Sequence, residues 1–272
     1  MKTKKSIKNS ISSVISNIII ITIGFVAKKI FIDILGTEYL GINSLFSNII
    51  SLLGIVELGL GSAIIYNLYK PIVENDKETI KSLMSFYKKA YHIIAFVVLI
   101  LGLIIMIFLK NIVNDVTINT NIYLIFFLFI IDVVFSYIIS YKRSILFATQ
   151  NNYIINYIHI LCFSILNILQ IILLIKTQNY YLYLIIKIVM RIIENIIITL
   201  IVNKNYPYLK EKNIDKLDKK IEKDIFSKVK ALFLHQIAGY IVTSTDNIII
   251  SKYIGIITVG LYSNYYMIIK NI

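Results

Sequence analysis

Apolar runs long enough to cross a bilayer alternate with short connectors, and the connectors on one side hold nearly all the lysine and arginine. About seven runs are complete, at roughly 11–35, 40–66, 86–109, 121–141, 154–175, 181–202 and 231–250, and an eighth begins near 256. Each has the roughly 20 residues that ~30 Å of hydrocarbon requires of a helix. The flanks before residue 10, at 67–89, 142–143 and 203–230 carry 20 Lys and Arg, whereas the opposite flanks hold Lys110, Lys176 and Lys252, with Lys28 and Lys29 near the end of the first run. By the positive-inside rule this sidedness predicts a cytoplasmic N-terminus and a multi-pass protein of the cytoplasmic membrane.

At 58% hydrophobic residues and a mean hydropathy of +0.79, the chain has more apolar surface than one globular domain of 272 residues can bury. Its net charge of +13 lies in the membrane flanks, where it meets anionic headgroups, so nucleic acid is not an expected partner. The basic N-terminus followed by an apolar core has the outline of a secretory signal. However, the apolar run continues through Val26 and Ile30 without a small-residue cleavage site, so it reads as an uncleaved first helix. The single cysteine, Cys162, lies in an apolar run and has no internal partner for a disulfide.

Residues 203–230 are polar and of mixed charge, and mark the boundary between two bundles. Ile214, Leu217, Ile221 and Ile225 fall at helical spacing there and predict a short surface helix. The predicted organisation is a six-helix lobe over 1–202, a cytoplasmic connector over 203–230, and over 231–272 the first two helices of a second lobe that looks truncated. There is no phosphate-binding Gly-Lys loop, no HExxH pair and no paired cysteines, and the three histidines are far apart in sequence, so no metal, cofactor or enzymatic activity is expected.

Ionisable residues inside hydrocarbon are costly and therefore informative. In the sixth run Tyr183, Lys187, Arg191, Glu194 and Asn195 share one helical face, with Arg191 near the bilayer midplane. They either form an internal pair, Glu194 with Arg191 or Lys187, or line a cavity. On the first run Ser13, Asn17, Gly24 and Lys28 form a polar or small stripe, and Lys29 points about 100° away toward the interface. Lys28 is thus the better cavity candidate, although both lysines can instead reach headgroups. Asp132, with Ser136 and Ser140 on its face, is a protonatable carboxylate that either responds to an ion gradient or neutralises Arg191 or Lys28. Glu57 sits among Gly54, Gly59 and Gly61, where helices can approach closely, and reads either as a packing contact or as a functional carboxylate; Asp246 belongs to a seventh run rich in hydroxyls and amides.

The stretch from Phe31 to Ile72, FIDILGTEYLGINSLFSNIISLLGIVELGLGSAIIYNLYKPI, resembles the first loop and second helix of the polysaccharide-unit flippases of bacterial capsule and O-antigen (lipopolysaccharide) assembly, the Wzx type. FYKKAY from Phe86, ATQNNYIIN from Ala148 and TDNIIISKYIGIITVGLYSNYYMI from Thr245 are similar signals. The resemblance implies an all-α, polytopic transmembrane helical bundle of the MATE-like, two-lobed kind. It also implies alternating access and a substrate of oligosaccharide on undecaprenyl pyrophosphate, flipped within the lipid bilayer alongside polysaccharide polymerase machinery. Lys28, Lys187 and Arg191 fit the basic cavity lining by position. Two other readings stay open: a multidrug or ion antiporter of the same superfamily, and a membrane glycan polymerase or ligase. Against the first stands the excess of cations over anions in the runs, and against the second the shortness of the outer connectors.

Overall fold

The computed structural model describes residues 2–57, 59–113, 120–211 and 214–271, with the side chains of 2–4, 234–236, 238, 240–244 and 270–271 left undescribed. All regular structure among the described residues is helical. The elements are α1 (Lys2–Leu35), α2 (Thr37–Leu53), α3 (Leu60–Glu74), α4 (Lys77–Ile107), α5 (Leu109–Ile112), α6 (Ile122–Ile138), α7 (Ser140–Ala148), α8 (Asn152–Thr177), α9 (Tyr180–Asn205), α10 (Lys219–Tyr253) and α11 (Ile256–Asn271). Two short 3₁₀ turns, Gly54–Glu57 and Pro207–Lys210, complete the set. Among the described residues three helical segments are long and apolar enough to cross a membrane: Thr37–Glu57, α4 and α8. The α6–α7 pair, bent by 43°, passes the same test when its two helices are taken together. α9 has the length of a span at 26 residues but carries Lys187, Arg191 and Glu194 at its centre.

Lipid-facing surface follows from helical period. Ile93, Phe96, Ile100, Leu103, Ile104 and Ile107 form an exposed stripe on α4, and Leu161, Ile165, Ile168, Ile172 and Ile175 form one on α8. Apolar stripes of that length are untenable in water and ordinary against acyl chains.

The connectors fall on two faces. On one, Asn9 donates to the Gln150 carbonyl (3.1 Å) and accepts from the Tyr153 amide (2.9 Å). On the same face Thr149 and Asn151 bond the Tyr206 hydroxyl at 2.7 and 3.1 Å, and Lys77 stands 5.7 Å over the Tyr208 ring. The polar ATQNN turn, with Gln150 in the left-handed region, thereby ties together the start of α1, the α7–α8 corner and the end of α9. On the other face the Tyr181 hydroxyl accepts from the Asn121 amide (2.7 Å), and Ser251 donates to the Ile112 carbonyl (2.8 Å). Each face has its own apolar core. One is built around Leu68, Tyr87, Ile145, Val202 and Ile225, the other around Phe31, Phe46, Phe126, Leu184 and Ile256.

Three sequence expectations change. The second run, 40–66, is not one helix: it breaks after Leu53 into a 3₁₀ turn and restarts as α3 behind Gly59, whose φ of +82 favours glycine. A Cβ on Gly59 would meet the Leu232 Cβ at 2.8 Å and the Val229 carbonyl oxygen at 2.9 Å, so α10 approaches this break closely. The fourth run bends because Ser136 and Ser140 return their hydroxyls to the Val133 and Ser136 carbonyls (2.7 and 2.6 Å), a back-bonding that bends helices. Finally, the described residues of the connector form no separate surface helix. Asp218 caps α10 at the Lys220 amide (2.8 Å), and the helix runs without interruption from Lys219 into the seventh run. Ile221 and Ile225 belong to it, whereas Ile214 and Leu217 precede it.

Candidate functional site

Between the two cores lies a charged network built from α6, α7, α8 and α9. Asp132 on α6 is 7% exposed and takes both cations of the sixth run: Arg191 donates Nε to Oδ1 (3.1 Å) and Nη2 to Oδ2 (3.3 Å), and Lys187 Nζ lies 3.1 Å from Oδ2. Such a two-toothed guanidinium–carboxylate pair fixes geometry as well as charge. Glu194, 5% exposed, pairs neither with Arg191 nor with Lys187 as the intrahelical reading supposed. Its partners come from other helices: Arg143 Nη2 at 3.0 Å and His159 Nδ1 at 3.3 Å from both carboxylate oxygens. Asn195 completes the node, accepting from Arg143 (3.1 Å) and donating to the Phe135 carbonyl (2.9 Å). Arg143 Nε is buried and finds no acceptor among the described residues. A cavity of about 190 Å³, lined by His159, Cys162, Phe163, Lys187, Arg191 and Glu194 among others, adjoins the network.

Arg143 and His159 were not singled out from sequence as site residues. For Arg143 a signal existed, because it lies eleven residues after Asp132, three helical turns on the same stripe as Ser136 and Ser140. The bend at Ile139 then carries it toward α9. For His159 no such signal exists, since only the packing of α8 on α9 brings it to Glu194.

Lys28 is elsewhere. It lines a polar chamber of about 230 Å³ between α1, α2, α10 and α11, and its Nζ donates to the Ser263 carbonyl (2.9 Å). Lys29 is exposed, in line with the 100° separation read from sequence. The chamber walls are amides, hydroxyls and one carboxylate: Asn43, Ser44, Ser47 and Asn48 from α2, Asp246 and Asn247 from α10, Tyr262, Ser263 and Tyr266 from α11. Asp246 accepts from the Tyr262 hydroxyl (2.9 Å), and Tyr262 stacks with Tyr266 at 6.0 Å. Asn247 is 5% exposed, and its side-chain oxygen meets no donor among the described residues. Lys28 forms no ion pair with a described carboxylate.

Glycine sets the chamber's width. α2 and α11 touch so closely that a Cβ on Gly41 would lie 2.0 Å from the Ile256 carbonyl oxygen, and one on Gly260 2.3 Å from that of Thr37. The Phe31 ring, one turn beyond Lys28, packs edge-on against Tyr180 and Tyr183 (5.7 and 5.2 Å), linking chamber and network helices. Lys28 and the pair Lys187/Arg191 nonetheless line different cavities. Glu57 accepts from the Tyr91 hydroxyl at 2.7 Å across α4, a packing contact at the break of the second run. The seventh-run residues His235, Gln236, Tyr240 and Thr243 lie outside the described side chains. Among the described residues no three His, Cys, Asp or Glu side chains group as a metal site.

Apolar helices long enough to cross a bilayer, with charge buried between two apolar cores and a separate polar chamber, define a helical integral membrane protein. The family model for polysaccharide biosynthesis proteins matches residues 6–272, and the chain belongs to that family. Neither the curated proteins nor the solved structures contain a match to it.

Proposed function

We propose that this chain acts as a flippase of surface-polysaccharide assembly, moving oligosaccharide linked to undecaprenyl pyrophosphate from the inner to the outer face of the bacterial cytoplasmic membrane. The observation that carries this reading, within the polysaccharide biosynthesis family, is the chamber: an intramembrane ammonium that forms no ion pair among the described residues, set among amides, hydroxyls and the Asp246 carboxylate. A pyrophosphate is a concentrated anion that an unpaired lysine attracts, and a glycan is a set of hydroxyls that Asn, Ser, Asp and Tyr side chains pair with. The stacked Tyr262 and Tyr266 rings add an apolar surface for sugar C–H groups. The prenyl tail stays in lipid, and no covalent step is required.

Lys187 and Arg191 enter this mechanism as a reserve. With Asp132 charged both are occupied, and they become free to meet an anion only when that carboxylate is protonated or the helices separate. The membrane potential, about 2.3 kcal/mol per elementary charge per 100 mV, is a sufficient source of bias for a charged headgroup. The face that bears Asn9, Gln150 and Tyr206 is the cytoplasmic one in this reading, because it carries the lysine excess.

The direct experiment removes the gene product and follows lipid-linked oligosaccharide. Accumulation in the inner leaflet, relieved by the wild-type chain, is the expected outcome; normal transfer to the outer leaflet would end the proposal. Topology is checked separately in a Cys162→Ala background, where Lys216→Cys should resist impermeant maleimide in intact cells and Thr177→Cys should react.

A further inference from the structure

A third cavity, a basic one, shares no lining residue with the other two. It measures about 470 Å³ and opens on the face that carries the start of α1, walled by α4, α7, α9 and the segment around Pro207–Lys210. Four lysines line it, Lys81, Lys88, Lys142 and Lys210, against one carboxylate, Glu211. That carboxylate is already taken: Lys81, 5% exposed, holds Glu211 at 2.7 Å and Glu78 at 2.8 Å. Lys142 is fixed by the Asn203 side-chain oxygen at 2.7 Å. Lys88, Lys142 and Lys210 form no ion pair with any described carboxylate. Three ammonium groups from three separate segments therefore converge on one space with nothing described there to balance them, and like charges held together in this way favour a bound anion.

Most of the remaining wall is apolar, Met84, Tyr141, Val202, Leu209 and Ile214, beside Ser85 and Asn203. That combination suits a ligand with a charged head and a hydrocarbon attachment better than a fully hydrated ion. The geometry points to a binding site for a phosphate-bearing headgroup at the membrane surface, held by Lys88, Lys142 and Lys210. The site is distinct from the chamber around Lys28 and does not depend on what that chamber transports. It stands beside the buried network, because Lys142 and Arg143 are neighbours on α7 that turn to different partners, Asn203 in the cleft and Glu194 in the core.

The test uses the full chain in nanodiscs. Native mass spectrometry counts retained lipid in phosphatidylglycerol against phosphatidylcholine discs, and a parallel arm titrates soluble pyrophosphate by calorimetry. Wild-type protein should retain phosphatidylglycerol over phosphatidylcholine, or bind pyrophosphate. Replacement of all three by glutamine (Lys88→Gln, Lys142→Gln, Lys210→Gln) should weaken that binding at least about tenfold, since each lysine near an anionic surface contributes severalfold. The triple arginine variant should keep it, and Lys70→Gln, an exposed lysine outside the cleft, should leave it unchanged. The glutamine variant should unfold at an unchanged temperature in anion-free medium, which separates loss of the site from loss of the fold. Lipid retention identifies a headgroup as the source, and pyrophosphate binding alone identifies a soluble anion. No binding in either arm, or binding that survives the triple glutamine change, overturns the site.

Discussion

Lys28 and Arg191 read alike in the sequence, each a cation within an apolar run on a polar stripe, and the fold gives them opposite electrostatic fates. Arg191 meets Asp132 through two nitrogens, with Lys187 on the same carboxylate, while Lys28 donates to a backbone carbonyl and forms no ion pair among the described residues. A paired buried cation holds helices in place and resists a ligand, since an incoming anion must compete with a carboxylate already in contact. A cation satisfied by one carbonyl keeps donors available. Availability for ligand, then, is decided by what stands opposite a charge rather than by its depth.

The largest effect expected is structural. Asp132→Ala leaves Lys187 and Arg191 buried without their anion, and should destabilise the bundle by about 3–5 kcal/mol, the range for stripping one partner from a buried pair. Thermal unfolding in detergent measures it, and an unchanged midpoint would show that the network is not the brace described here. Next comes Lys28→Ala, expected to lower glycan export about a hundredfold at normal protein levels, with Lys28→Arg recovering part of it. Arg191→Ala should cost less export than Lys28→Ala, because Lys187 still balances Asp132; the reverse order would exchange the roles of the two regions.

Gly260→Val sharpens the comparison from the packing side. The new side chain runs into the Thr37 carbonyl and should force α11 from α2 at a cost of about 1–3 kcal/mol, impairing export while leaving the Asp132 network intact. Limited proteolysis near α11 together with export assays would reveal it. The smallest effect belongs to Lys29→Ala, which removes an exposed ammonium and should leave export near wild type. A loss there comparable with that of Lys28→Ala would mean that chamber geometry does not distinguish the two neighbours.

Much of the fold was legible because hydrocarbon leaves a chain few options. A run of about 20 apolar residues must satisfy its own backbone, so it becomes a helix, and lysine marks its ends. The angular separation of Lys28 from Lys29 was legible for the same reason, being a property of one helix. The breaks were less so: Gly54 and Gly59 signalled close approach, yet nothing local said that the chain would turn there, since the left-handed Gly59 is held against Leu232 and Val229 from α10. The carboxylate partners were legible only in part: Asp132 was read as coupling to an ion gradient or neutralising Arg191 or Lys28, and the packing of α6 on α9 brings it to Arg191. Glu194 stands at i+3 from Arg191, the pairing that spacing favours, and instead binds Arg143 and His159 from two other helices.

What the sequence determined by itself was the local and the periodic: helical runs, their sidedness, and which residues share a stripe. These follow from backbone hydrogen bonding and a 3.6-residue repeat, which need no neighbour. The tertiary structure alone decided which charges cancel. Asp132 meets Arg191 across 59 positions and Arg143 meets Glu194 across 51, so their contact depends on how α6, α7 and α9 pack. Coulomb attraction falls with distance and is strongest where water is excluded, and both conditions are set only when the helices come together.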